Sequence, residues 1–392
     1  MHLYNKTTSS DSKRAGKPFT IHPLIKVSCL SLLSSICIWP VLSSPASAQF
    51  ARLYRVEGGR VFLKRPGWRN FYQTQPRTML RGNDLLDVEV STDVVLLCPD
   101  GYLSDSIQVG VSNVGATCVG TPRSVRPTFG VSSDWQATEE TQPYVIAPWS
   151  EQVLTATPPL QWNPVVGAQQ YEVTLRRREG ETWEDVWSAT SQEASMDYPA
   201  GEAKLEPGEE YALRITVTEG TVASEGSFSS EPGTKAFALI DGFDRQDLDV
   251  ELAEIEGFEV DELTKTLILV EEVYPRYKLF AQGIEEMTAL VETGNGNELI
   301  YRLLGDYYIR SGLALPAESS YLQAVAIATA NENVEEKALA IWGLGTLYNR
   351  TGQTAEACTY LQQAKKLATE LGDPNLLASI EAELSRAGVD TE

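Results

Sequence analysis

Histidine and cysteine carry the widest chemical repertoire in this 392-residue chain, and both are scarce: His2 and His22, then Cys29, Cys37, Cys98, Cys118 and Cys358. Both histidines and two of the cysteines lie ahead of residue 40. If that segment is removed, no imidazole remains, which excludes histidine triads, Cys–His pairs and His-ligated zinc. Paired carboxylates can hydrolyse glycosides. With 54 Asp and Glu, however, such pairs arise everywhere and single out no site. After residue 48 there is no G-x-S-x-G, P-loop or G-x-G-x-x-G string, and no Ser-x-x-Lys in a plausible setting. The expectation is a non-enzymatic chain with no cofactor and no metal site.

The removal itself is legible. Lys6, Lys13, Arg14, Lys17 and Lys26 lie ahead of or at the edge of an apolar run from Val27 to Leu42, and Ala46-Ser47-Ala48 follows as a small-residue cleavage site. That is the layout of a secretory signal peptide over residues 1–48. The competing reading, a permanent anchor, is disfavoured because serines and Pro40 break the run, which falls short of the roughly 20 apolar residues a span needs. The expected product is exported, periplasmic or else secreted, with no stable membrane span. Its formal charge moves from -22 to -26, since the segment holds five bases and one acid. Such a balance argues against nucleic-acid binding, which needs a basic footprint. In an oxidising compartment Cys98 and Cys118 can form a disulfide, worth about 3 kcal/mol by the chain-entropy model. Cys358, on an apolar helix face, reads as a buried inert thiol.

The elements that position these residues fall into three parts. Residues 49–120 contain short β-rich runs, Arg60–Lys64, Leu85–Val90 and Val94–Cys98, bounded by turn residues. This small all-β module is basic, whereas the rest of the chain is acidic. Its segments Gly59–Arg65 (GRVFLKR), Leu80–Leu85 (LRGNDL) and Leu97–Gly101 (LCPDG) resemble the iron-dicitrate-sensor (FecR)-like β domain of bacterial envelope proteins. It departs from that pattern at Asn83 and in carrying two cysteines. The resemblance implies an envelope-facing interaction or sensing module without fixing a ligand.

Residues 121–142 read as a linker rich in Thr, Ser, Pro and Glu. From 143 to 232, Pro158–Trp162, Gly167–Leu175 and Tyr211–Val217 alternate apolar and polar residues like the half-buried strands of a sandwich. Leu205–Tyr211 (LEPGEEY) resembles the tyrosine corner of fibronectin type III domains, with Trp162 and Tyr171 at their strand B and strand C aromatic positions. The resemblance implies that Trp162 and Tyr211 are core residues rather than a sugar platform. Residues 233–262 are acidic, with Asp241, Asp244, Asp247, Asp249, Glu251 and Glu254 among them. They lack the EF-hand spacing and its glycine, so a solvated, self-repelling linker is expected rather than a calcium site.

Residues 263–388 repeat. At an offset of 40, Leu304 and Gly305 fall on Leu344 and Gly345, Tyr308 on Tyr348, Gly312 on Gly352, Ala317 on Ala357, Tyr321 on Leu361, Ala324 on Ala364 and Ala328 on Ala368. These residues resemble the tetratricopeptide repeat (TPR). A weaker copy lies 34 residues upstream, with Leu267, Tyr274, Gly283 and Met287 in register, Glu271 in the glycine place, Leu290 in an alanine place and Pro275 closing the first helix early. Asp373 and Pro374 then start a closing helix over about 375–386. The fold class expected is therefore multi-domain: a small all-β domain, a fibronectin-like β-sandwich and all-α tetratricopeptide repeats.

The resemblance assigns the concave face of the repeats to a protein or peptide partner. Leu299, Arg302, Asp306, Ile309 and Arg310, then Leu339, Trp342, Thr346, Asn349 and Arg350, would line it. Arg276, Arg310 and Arg350 share one helix position, forming a ladder. Two readings of that ladder stand side by side: arginines favoured by the helix dipole near C-terminal ends, and a row of forks for the carboxylates of an acidic partner segment. The expected function is an envelope scaffold or adaptor. The alternative is a sensor whose β module binds glycan or another envelope ligand while the repeats relay to a partner.

Overall fold

A computed structural model describes residues 49–118, 143–149, 151–220 and 236–388. The expected signal peptide and the 121–142 linker lie outside the described residues. The first module has seven strands: β1 (Gln49–Glu57), β2 (Val61–Lys64), β3 (Tyr72–Thr74), β4 (Met79–Arg81), β5 (Leu85–Val88), β6 (Asp93–Leu97) and β7 (Gly110–Asn113). They make two antiparallel sheets, ordered β4-β1-β6 and β3-β2-β5-β7. Period-two alternation explains the packing. Val61, Leu63, Leu86 and Val88 point inward from one sheet to meet Leu53, Leu80, Val94 and Leu96 of the other. Just past β7, a single turn, α1 (Val114–Thr117), carries Cys118 back to Cys98 at the end of β6, and the two form a disulfide.

The second β region contains β8 (Val145–Ala147), β9 (Gln152–Val153), β10 (Leu160–Trp162), β11 (Ala168–Glu179), β12 (Thr182–Ser191), β13 (Ser195–Met196), β14 (Glu210–Gly220) and β15 (Phe237–Leu239). Its sheets run β13-β10-β8 and β12-β11-β14-β15-β9, antiparallel except for β15 beside β9. Trp162 and Tyr171 meet edge-on in the core between them, with centroids 5.5 Å apart. Tyr171 and Tyr211 keep their hydroxyls satisfied by accepting the backbone N–H of Val165 at 2.9 Å and of Glu206 at 3.0 Å.

From residue 242 the described chain is helical: α2 (Gly242–Glu256), α3 (Glu262–Ile268), α4 (Tyr274–Tyr277), α5 (Phe280–Leu290), α6 (Glu298–Arg310), α7 (Ala314–Ala330), α8 (Val334–Arg350), α9 (Thr354–Leu371) and α10 (Pro374–Arg386). Side-chain caps begin many of them: Asp241, Asp261, Asn297, Asn333 and Asp373 each accept backbone N–H groups of the first turn. The sequence repeat has a packing cause. A Cβ on Gly305 would sit 2.6 Å from the Tyr321 ring, and one on Gly345 would sit 2.7 Å from Leu361, so only glycine lets each helix approach its hairpin partner. Ala317, Ala324 and Ala328 of α7 are buried, as are Ala357, Ala364 and Ala368 of α9.

Two expectations need correction. Over its described residues, 236–262, the expected acidic linker 233–262 is not a solvated spacer: β15 extends the larger sheet, and α2 buries Leu248 and Ile255, two turns apart on one face, while its acids line the other. Nor does Pro275 end its helix. A widened turn over Leu269–Val273 precedes it, so a proline without an N–H is accommodated and the helix runs on to Tyr277. Lys278 then reverses the chain at φ +54°.

The described modules dock directly on one another. The first β module lies along the edge of the helical array where α3, α8 and α10 begin. Its arginines face inward: Arg52, 2% exposed, lies 2.8 Å from Glu271, and Arg65, 7% exposed, lies 2.7 Å from Glu335. Arg77 bonds Asp261, the cap of α3, at 2.7 Å. Apolar contact accompanies the charge: Leu97 shares a core with Leu248 and Leu267, and Gly101 lies against Phe258. The sandwich docks at the other face, where Gln152 donates its N–H to the Lys278 carbonyl at 3.1 Å. Arg52, Arg65 and Arg77 are thus spent on the chain's own acidic helices, whereas Arg55 and Arg60 pair with Asp93 and Glu89 inside the module.

A candidate partner-binding groove

A cavity of about 330 Å³ opens between α6, α8 and α10. Helical spacing sets its walls. Arg302, Asp306, Ile309 and Arg310 lie on one face of α6; Leu339, Trp342, Thr346 and Arg350 lie on one face of α8; and Ser379, Ala382, Glu383 and Arg386 come from α10. Tyr321 of α7 closes the floor, donating its hydroxyl to Asp306 at 2.7 Å. Four arginines face the cavity against two carboxylates, in a chain whose overall charge is strongly negative.

Most of the residues expected to line a groove are therefore gathered, and three are not. Leu299 packs into the hydrophobic core with Leu267 and Ile300. Asn349 turns sideways and donates to the Glu383 carboxylate at 3.1 Å, which makes it a strut between α8 and α10. Arg276 is separated from the other two rungs: it pairs with Glu251 of α2 and donates to the Glu272 carbonyl at 2.7 Å. A shared helix position does not give a shared environment, because the first repeat copy has α2 lying across it. The α10 wall was missed, although its Ser379, Glu383 and Arg386 follow the i, i+4, i+7 rule that marks one helix face.

The electrostatics of the groove are graded. Arg302 is enclosed and bonds Glu336 at 2.6 Å and Asp306 at 2.7 Å. Burial alone would lower its proton affinity, but Glu336 and Asp306 together hold it above the usual arginine value. Glu336 is itself pushed up by burial, with Arg302 opposing. This cluster is a fixed strut. Arg310 packs beside two rings, its guanidinium 5.9 Å from the centroids of both Phe280 and Tyr307. The rim is looser: Arg350 lies 3.9 Å from Glu383, and Arg386 shares the same carboxylate. Glu383 thus bridges the two rim arginines.

Beyond the groove, a wider cleft of about 790 Å³ separates the sandwich from α5. Among the described residues, no group of three or more His, Cys, Asp or Glu could hold a metal ion, and no helix is long and apolar enough to cross a membrane. Cys358 is half-buried beside Gln362 rather than enclosed. No protein-family model matches this chain, and no curated protein matches it either.

Proposed function

We propose that this protein is an exported, non-enzymatic scaffold of the cell envelope, and that its α6–α8–α10 groove captures an acidic segment of a protein partner. The observation that carries the reading is the concentration of Arg302, Arg310, Arg350 and Arg386 around Trp342 inside an acidic chain. Guanidinium forks recognise carboxylates in two-point fashion, and an indole beside them supplies apolar contact area. On this reading the helical hairpins are tetratricopeptide repeats, which the recurring Gly305–Tyr321 and Gly345–Leu361 contacts support. The sandwich is fibronectin-like, supported by its sheet order and by Tyr211 closing onto Glu206. The first module is FecR-like and acts mainly as a brace for the helices. Of its basic residues, Arg55, Arg60, Lys64 and Arg69 stay outside the clasp, Arg60 over Phe62 and Lys64 over Phe71, and a sensor function would draw on these.

The test is binding of fluorescent Glu/Asp-rich peptides, with Lys-rich peptides as controls. The combined variant Arg310→Glu, Arg350→Glu, Arg386→Glu should lose at least tenfold in affinity for the acidic set while keeping its helical circular dichroism. A folded variant that still captures every envelope partner of the wild type, by crosslinking in intact cells, ends the proposal.

A further inference from the structure

The cleft between the sandwich and α5 has a chemistry opposite to that of the groove. One wall is the outer face of the β13-β10-β8 sheet, where Gln161, Glu193, Ser195 and Asp197 are exposed around Met196. The other is one face of α5 and the turn after it, carrying Gln282, Glu285, Ala289 and Glu292 at helical spacing. Glu193, Asp197, Glu285 and Glu292 are exposed, and no Lys, Arg or His lines the cleft. Among the described residues none of the four carboxylates pairs with a base. The buried part of the lining is an apolar floor: Pro148, Val153, Leu160, Leu279 and Ile284.

The walls are tied together at the inner end of the cleft. Glu151, 5% exposed, accepts the Trp149 N–H at 3.0 Å with one carboxylate oxygen and the Ala281 N–H with the other. Beside it, the Gln152 N–H reaches the Lys278 carbonyl at 3.1 Å. The side-chain oxygen of Gln152, which lines the cleft, is buried and accepts no hydrogen bond from the described residues. Buried acceptors are almost always paired, so this one is left for a donor that the chain itself does not supply.

We propose that the cleft is a second docking site, for a short extended segment of a protein partner that carries lysine or arginine on either side of an apolar residue. Its cations meet the carboxylates of both rims, its apolar side chain covers the floor, and a backbone N–H reaches Gln152. An acidic segment or a phosphate is repelled by the four carboxylates and finds no base. A bare polyamine would satisfy the rims but leave the apolar floor uncovered. Exposed ion pairs are individually weak, so the rims supply steering and selectivity while the floor supplies contact area. At about 790 Å³ the cleft falls within the range of roughly 300–1,000 Å³ typical of ligand sites.

The test is fluorescence anisotropy of the full chain with a labelled peptide in which lysines flank a Leu-Val pair. The wild type should bind it saturably. Combining Glu193→Gln, Asp197→Asn, Glu285→Gln and Glu292→Gln should weaken binding about tenfold. Neutralising as many exposed acids off the cleft, Glu181, Glu184, Glu202 and Asp247, should leave it nearly unchanged. Carbon-13 methyl spectra of the methionines give a local readout that needs no variant. Met196 lines the cleft and Met79 belongs to the first β module, so the Met196 signal should move on titration while that of Met79 stays. Equal losses in the two combined variants, an unmoved Met196 signal, or equal affinity for a lysine peptide without the Leu-Val pair overturns the proposal.

Discussion

Trp68 of the first β module donates its indole N–H to Asp373 at 3.1 Å, while the other oxygen of that carboxylate caps α10 through the N–H groups of Asn375 and Leu376, each at 3.0 Å. Residues 305 positions apart thus share one carboxylate, and the module's docking is tied to the helix that walls the groove. Replacing Trp68 by Phe removes the hydrogen bond but leaves the cap, and should cost about 1 kcal/mol. Trp68→Ala also opens a cavity and should cost about 3–5 kcal/mol. Urea unfolding checks both. Equal, near-zero effects would mean that the module does not brace the helices.

Arg65 joins two buried or half-buried acids, Asp84 at 3.1 Å and Glu335 at 2.7 Å. Burial pushes the Asp84 carboxyl up even with Arg65 beside it. Arg65→Met strands both charges and should destabilise the chain by about 3–5 kcal/mol. Adding Asp84→Leu and Glu335→Gln should restore most of that loss. If the triple variant is no better than the single one, the arginine acts through packing alone.

Gly305 and Gly345 lie under Tyr321 and Leu361. Alanine at either position gains about 1 kcal/mol of helix propensity but meets a neighbour that cannot retreat, at a typical cost of about 1–3 kcal/mol. Net destabilisation of both single variants is expected, with thermal denaturation as the readout. A stabilised Gly345→Ala would show that α8 and α9 approach less closely than described.

Glu383 occupies Arg350 and Arg386 at the groove rim and holds Asn349. Glu383→Gln keeps a polar strut for Asn349 and releases both guanidiniums. Acidic peptides should then bind a few-fold tighter, and the salt dependence should steepen as more charge is exposed to the ligand. Fluorescence anisotropy at two ionic strengths measures this. Weaker binding would assign Glu383 to the ligand-contacting set.

Local rules carried far along this chain. Short β-rich runs bounded by turn residues set strands β2, β5 and β6 to within two residues of their edges, whereas β11 runs four residues beyond the reading, and Asp373 with Pro374 marked the start of α10, because a strand face and a cap depend only on near neighbours. The 40-residue offset located Gly305, Gly345 and the buried alanines, because close helix approach has few chemical solutions. Interfaces between modules were not legible. The acids of α2 read as a repelling spacer because nothing in the text says that Arg276 will pair with Glu251, or that Leu248 and Ile255 will find a core.

The same limit governs charge. The sequence by itself determined that residues 49–130 carry more bases than acids, that the remainder is acidic and that no imidazole follows residue 48. Only the tertiary structure decided where those charges act. It turned Arg52, Arg65 and Arg77 inward as a clasp, left Arg310 and Arg350 in a groove walled by α10, and enclosed Glu151 against α5. The physical reason is that a charge's strength and proton affinity depend on which distant groups exclude water around it. Spacing along the chain carries no record of that.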